Sequence, residues 1–328
     1  MITANDEGRN VLALTIENVE PYLREREWII GNVRVDVLSG GVSNLVFRIT
    51  HDGGRFVLKQ SCPQLRVADP WFSDLNRVFR EQAVMDLLEP LFPADTIPRV
   101  LHRDPDNFAF AMSHAPDPAI DWRTTLLAGE ADPVRAEQAG SILSRIHSIV
   151  SASLLAFDDR TVFHQLRTEP FYERICERVP DVASHVGPLI ERCHKAKVGL
   201  CHGDFSPKNL LAHPSGFTLV DHETACLGDP AFDIGFFVSH LLLKVIHFSP
   251  NDSAFQELVP AFRRGYDREL PEGWAGHLGA CMLARIEGTS PVPYLRDETK
   301  RERARRWGRH ILIDQPEYEE LGNSSFVL

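Results

Sequence analysis

The sequence predicts an α+β protein in two parts: a five-stranded antiparallel sheet with one helix over residues 1–113, then a mainly helical part over 114–328. Three observations predict it. Between Val33 and Ser113, short apolar runs of strand period are separated by turn residues. From Asp132 onward the apolar spacing is helical. Between the later helices lie Cys201 to Leu211, CHGDFSPKNLL, and Leu219 to Gly235, LVDHETACLGDPAFDIG, which place carboxylates and an amide in a fixed order.

Thr15 reads as the cap of a short helix through Leu23, a peripheral cover whose later turns Pro21 weakens. Val33, Val35 and Val37 alternate with Arg34 and Asp36, the pattern of a half-buried strand. A turn over Ser39 to Asn44 leads to a strand from Leu45 to Thr50, and Asp52-Gly53-Gly54 turns the chain into Arg55 to Gln60. The segment Leu75 to Leu88 is an amphipathic helix with Glu81 in the same arc as Val78 and Met85. An inward carboxylate needs a cation to offset its desolvation, and Lys59, ending the run Phe56-Val57-Leu58, is the candidate. The alternative leaves Glu81 at the rim and Lys59 in solvent. Pro98 to Arg103 and Phe108 to Ser113 complete the sheet across the turn Asp104 to Asn107.

In the second part, Asp132 and Pro133 cap and start a central helix whose apolar positions run from Ala136 to Val150, with His147 and Ser148 as ordinary residues of its end. Val162 to Lys197 reads as further helices without chemistry. Asp233 begins an apolar helix through Ile246, and Asp229, before Pro230, reads as a turn residue. The remainder is helical in pattern, broken at Gly288 to Pro293, and Arg296 to Arg309 reads as a solvated helix face.

A chain of 328 residues buries a substantial core, and its 43% hydrophobic and 25% charged composition is that of a globular protein. The net charge of −11 argues against nucleic-acid binding. No run is read as reaching the roughly 18 apolar residues of a membrane span, and MITANDEGRN lacks the regions of a signal peptide, so a cytoplasmic location away from membranes is expected. The six cysteines are widely spaced with no C-x-x-C, and reduced, mostly buried thiols are expected.

His202, Asp204 and Asn209 fall where the kinase catalytic loop H-R-D-x-x-x-x-N puts its His, Asp and Asn. With Gly203 in place of the arginine and Asp221-His222-Glu223 in place of D-F-G, the pattern resembles the aminoglycoside phosphotransferase-like family of small-molecule kinases, with choline kinase and methylthioribose kinase among its kin. The resemblance spans roughly residues 33–245 and implies a bilobal, protein-kinase-like fold using ATP and Mg2+. It implies Asp204 as the base toward an acceptor hydroxyl, Asn209, Asp221 and Glu223 as metal ligands, and Lys59 and Glu81 as the pair that positions phosphates. Gly40, Gly41 and Ser43 would cover the phosphates, and the backbone of Ser113 and Ala115 would read adenine. His202 and Asp233 would support the loop, and Arg285 and Glu287 would touch the acceptor.

Ser206 stands where protein kinases carry a loop lysine, and no A-P-E segment follows Asp221, which argues against a phosphorylation-gated protein kinase. The acceptor expected is a hydroxyl of an aminoglycoside, a sugar such as methylthioribose, choline or an amino alcohol. The competing reading is a catalytically idle nucleotide-binding module that regulates a partner. A Ser-His-Asp hydrolase lacks its G-x-S-x-G.

Overall fold

The computed structural model describes residues 2–4, 10–38, 44–63, 72–251 and 253–322. Contacts divide the chain into two units, Met1–Asp117 with Thr218–Glu223, and Pro118–Phe217 with Thr224–Leu328. The chain therefore returns to the first unit for six residues that hold both carboxylates of Asp221-His222-Glu223.

The first unit is built on a five-stranded antiparallel sheet. Val33–Val37, Asn44–His51 and Gly54–Ser61 pair in sequence, Ala109–Ser113 adds to the third, and Val100–Asp104 forms the far edge. Period-two alternation gives each face its own core. Phe47, Ile49, Phe56, Leu58, Ala109 and Ala111 share one cluster with Leu14, Val19, Tyr22 and Leu23 from the N-terminal segment. That segment is thus part of the core rather than a peripheral cover. Its helix runs Val19–Glu25, later than expected, because the Thr15 carbonyl takes the Asn18 and Val19 N–H groups in a turn. Pro21 then falls in the first helical turn, where its missing N–H is not needed. Val37, expected to be half-buried, is 56% exposed at the end of an edge strand. On the other face packs the helix Arg77–Leu88, which buries Val78, Glu81 and Met85.

The second unit is helical around Pro230–Phe248, a 19-residue helix with its apolar residues buried from Pro230 to Ile246. Contrary to the reading that no such run exists, this helix is long and apolar enough to cross a membrane; its 18-residue apolar window is 83% buried inside the protein, the pattern of a core helix. Gly235 permits its close approach to the helix Trp274–Glu287, since a Cβ there would lie 2.4 Å from the Leu278 nitrogen. The helix Pro133–His147 starts as expected, with Asp132 Oδ1 accepting from Val134 N at 2.9 Å. It stops before Val150, which is 96% exposed. All six cysteines are free, four of them buried.

Asp229 is more than a turn residue. It caps the Pro230–Phe248 helix through the Ala231 N–H, and its Oδ2 lies 2.6 Å from Arg192 Nε and 3.8 Å from His277 Nε2. Burial alone would raise its carboxyl, but His277 and Arg192 outweigh burial and hold it at about 2. Because the folded value is depressed, this stabilisation is complete above the unfolded carboxylate range and is lost as pH falls toward 2. Asp229→Asn is expected to lower unfolding free energy by about 2 kcal/mol at neutral pH, with the gap to the parent protein closing between about pH 4 and pH 2, measured by urea denaturation.

Candidate active site

Strand register fixes where Lys59 points. Leu58 lies between Phe47 and Ala111 and belongs to the N-terminal core, so Lys59, between Val46 and Phe110, faces the opposite side, toward the helix Arg77–Leu88. Its Nζ lies 2.6 Å from Glu81 Oε2, 2.7 Å from Asp221 Oδ1 and 3.9 Å from Glu223 Oε2. Burial alone would lower the ammonium's pKa, but Asp221, Glu81 and Glu223 together hold it above the ordinary lysine range, so it stays charged. Glu81 is wholly buried; desolvation raises its carboxyl, Lys59 pulls it down, and Asp221 and Glu223 push it up again, for a net rise.

Glu223 is held more firmly than its sequence suggested. Its Oε2 accepts from Asn44 Nδ2 at 2.8 Å and from Arg77 Nε at 3.2 Å. Arg77, buried at 0% exposure, is itself fixed by the carbonyls of Cys62, Ser73 and Asp74. Sequence reasoning missed Arg77; its signal is its place one helical turn before Glu81, on the same stripe. Asp221 adopts φ 69°, a region costly for a residue with a side chain, while its neighbour His222 turns inward and donates Nε2–H to the Leu219 carbonyl at 3.1 Å. Burial pushes that imidazole down to about 4, so it is neutral.

The carboxylates of Glu81, Asp221 and Glu223 have ligand oxygens within 4.8 Å of one another. Among the described residues, Lys59 and Arg77 are the cations paired with them. An all-oxygen donor set fits a hard divalent cation such as Mg2+. Asp221, with 21% side-chain exposure against 1% for Glu81 and 5% for Glu223, is the most accessible of the three.

In the second unit, Asp204 sits on a loop clamped by Asp233. Asp233 Oδ2 accepts from His202 N at 2.7 Å and Oδ1 from Gly203 N at 2.8 Å. Gly203 has φ 75°, and a Cβ there would lie 2.7 Å from the Thr224 carbonyl, so the arginine of the protein-kinase loop has no room here. His202 is buried; its Nδ1 accepts from Asp204 N and its carbonyl accepts from Thr224 Oγ1. The Asp204 carboxylate is gripped at both oxygens. Asn209 Nδ2 donates to Oδ2 at 2.7 Å, and Arg167 Nη2 lies 2.7 Å from Oδ1.

Arg167 and His147, like Arg77, are positions at the candidate site that sequence reasoning passed over. Arg167 lies in His164–Glu173, a stretch of π-helix containing Pro170, within the segment expected to carry no chemistry. Its guanidinium also donates to the carbonyls of Gly203 at 2.6 Å and Leu166 at 2.5 Å. Widened turns of this kind accommodate a proline and recur at functional sites, and Pro170 inside a helical run is the signal that was available. His147, expected as an ordinary helix end, is buried with Nε2 3.2 Å from Asp233 Oδ2 and Nδ1 3.0 Å from Tyr266 Oη.

Gly40, Gly41 and Ser43 lie outside the described residues. Ser113 ends its strand with its N–H and Oγ both bonded to Arg99, and the Ala115 carbonyl accepts from His114 Nδ1 at 2.5 Å. Arg285 is bonded to Ser290 Oγ at 3.1 Å in the second unit. Glu287 lies 2.5 Å from Arg305 and 3.9 Å from Arg301 of the helix Glu298–Asp314, in an ion-pair cluster that accounts for its charge.

Asp233→Asn weakens acceptance by the residue that holds two loop amides. Hydrogen exchange at His202 and Gly203 is expected to speed up at least tenfold, about the loss of one charge-assisted bond, while the amide of Leu58 is unchanged; mass spectrometry of peptide fragments or NMR checks this.

Methylthioribose kinase 2 of Oryza sativa subsp. japonica is 25% identical over 272 residues, 71% of this chain and 62% of that protein. A methylthioribose kinase of Escherichia coli is 26% identical over 289 residues, 78% of this chain and 67% of that protein. The chain thus spans about 62% of the length of the first of these curated relatives. Among solved structures, amicoumacin kinase hAmiN in complex with AMP-PNP, Ca2+ and Ami superposes with a TM-score of 0.60 at 13% identity, covering 92% of this chain and 97% of that one. Spectinomycin phosphotransferase, in complex with ADP and its antibiotic, does so with a TM-score of 0.54 at 12% identity, covering 95% and 98%. These likenesses establish a protein-kinase-like fold of mixed α and β structure. The model of the phosphotransferase enzyme family matches residues 34–279, and the chain belongs to that family.

Proposed function

We propose that this protein is an ATP- and Mg2+-dependent phosphotransferase that moves the γ-phosphoryl group to a hydroxyl of a small molecule. The observation that carries the reading is Lys59, a buried ammonium kept charged between Glu81 and Asp221. A fixed cation of this kind serves anionic phosphate oxygens, and Glu81 keeps its long side chain from wandering. Bound Mg2+ would offset the negative charge on the phosphates, and Asp221, with Glu223 beside it, is suited to hold it.

Asp204 performs the acceptor side of the reaction. The acceptor hydroxyl donates to its carboxylate, which orients the oxygen lone pair toward phosphorus. As the new O–P bond forms and the bond to the ADP leaving group breaks, the hydroxyl proton passes to Asp204. Asn209 and Arg167 hold the carboxylate in one orientation, and the Asp233 clamp fixes the loop beneath it. Methylthioribose kinases among the relatives support a sugar hydroxyl as acceptor ahead of an aminoglycoside, choline or amino-alcohol one. A cytoplasmic setting, where ATP is supplied, suits the same reading.

ADP release is the readout, with methylthioribose first and then a broad panel of hydroxylated acceptors. Asp204→Ala is expected to lower kcat by about 10²–10⁴-fold with the acceptor so identified, while AMP-PNP affinity stays within about threefold. Full turnover by Asp204→Ala would overturn the assignment.

A further inference from the structure

The second unit holds two cations that make no ion pair with a carboxylate among the described residues. Lys244, on the Pro230–Phe248 helix, is 1% exposed; its ammonium donates to the His240 carbonyl at 3.2 Å and lies 5.4 Å from the centre of the Tyr294 ring. Arg285 lies 5.9 Å from the centre of the Phe171 ring, and its one bonded nitrogen donates to Ser290 Oγ. Arg285 Nε, Tyr294 Oη, Thr289 Oγ1 and His240 Nε2 are buried without a hydrogen-bond partner among the described residues. Arg167 and Arg123 act on the same groups, but Arg167 is paired with Asp204 and Arg123 with Asp121. Among the described residues, Lys244 and Arg285 are left as two positive charges without an ion-paired acid.

Unpaired buried charge and unsatisfied buried donors are both destabilising, so their concentration in one place calls for an occupant. Lysine escapes part of the penalty by shedding its proton: burial first, then Arg285 and Arg123, push Lys244 down to about 7 against the weaker pull of Asp121. Arginine has no such escape. The donors are also of the kind that recognise oxyanions: a guanidinium, an ammonium, a phenol and an imidazole. Asp204 is among the charges that act on Arg285, which ties the group to the base of the proposed reaction.

We propose that Arg285, Lys244 and Tyr294, with His240, form an anion subsite for the acceptor, which is therefore a hydroxyl-bearing anion, a carboxylate or a phosphate monoester, and not an amine. This rests on the phosphotransferase reading and specifies its substrate class. The chain's overall acidity gives no hint of it, because the cations are gathered in the interior of one unit. It also gives Arg285, expected only as some acceptor contact, a defined partner charge.

The test uses the full chain and two matched series: gluconate, glucose phosphate, glucose and glucosamine; and glycerate, glycerol phosphate, glycerol and serinol. Binding is measured by calorimetry with and without AMP-PNP, and transfer from ATP by phosphorus NMR. A carboxylate or phosphate member is expected to bind at least about tenfold more tightly than its neutral and amine counterparts, and to be the one phosphorylated. Which anion wins separates the two sources of charge. Arg285→Gln and Lys244→Met are each expected to weaken that binding by about thirtyfold or more. Near pH 8 the parent protein should take up close to one proton on binding, read from buffers of different ionisation enthalpy, and Lys244→Met should take up none. Preference for a neutral or amine member, binding of no member, or unaltered anion affinity in both variants overturns the subsite. AMP-PNP affinity in the same samples verifies that the variants are folded and separates the two levels: retained nucleotide binding with any of those results sinks the anion subsite alone, and absent nucleotide binding in the parent protein sinks the phosphotransferase reading as well.

Discussion

The buried ammonium of Lys59 sets most of what the first unit must be. An ammonium removed from water at 4% exposure needs carboxylates around it, and it has Glu81 from the helix and Asp221 from the segment that returns to this unit. That requirement explains why a helix with one wholly buried carboxylate packs on this face of the sheet. It also explains Arg77: three carboxylates around one lysine would repel one another, and a second buried cation, bonded to Glu223, lessens that repulsion. Of the three carboxylates, Asp221 is the most accessible oxygen donor. Structural balance and capacity for a divalent cation are therefore one electrostatic arrangement.

The second unit solves a different problem, the aiming of one carboxylate. Asp204 stands on a loop too short to fix itself, and its geometry is imposed from below by Asp233, whose two oxygens take two consecutive backbone amides. Asp233 is in turn held by His147, which is anchored by Tyr266. From the side, Arg167 and Asn209 each take one oxygen of Asp204. In the proposed reaction, preorganisation of this kind removes the need to reorganise at the moment of proton transfer. The requirement reaches down to Gly203, where any side chain would collide with Thr224.

The parts of this arrangement legible in the sequence were those with local signals. Strand period placed the sheet, the inward stripe of the helix singled out Glu81, and the ordered spacing of His202, Asp204 and Asn209 marked the loop. What was hidden depends on contacts distant in sequence. Arg167 meets Asp204 from 37 residues away and His147 meets Asp233 from 86, so neither partner is written in the local sequence, and Pro170 near Arg167 marks the turn without naming its partner. Asp229 looked like a turn residue because its ion pairs with Arg192 and His277 come from other helices. Helix boundaries slipped for a simpler reason: Thr15 and Val150 fit the pattern by composition, but turn hydrogen bonds and solvent exposure decided otherwise.

The most direct measurement of the central claim is the affinity for AMP-PNP with Mg2+ when the Lys59 charge is removed without leaving a buried carboxylate unpaired. The double variant Lys59→Met with Glu81→Gln meets that condition, since one positive and one negative charge leave together. Calorimetry should show binding to the parent protein and a loss of about tenfold to hundredfold in the double variant, the size of one charge-assisted contact to phosphate. Equal affinity in the two proteins would contradict the account, because Lys59 would then be a structural cation and the phosphates would be held elsewhere.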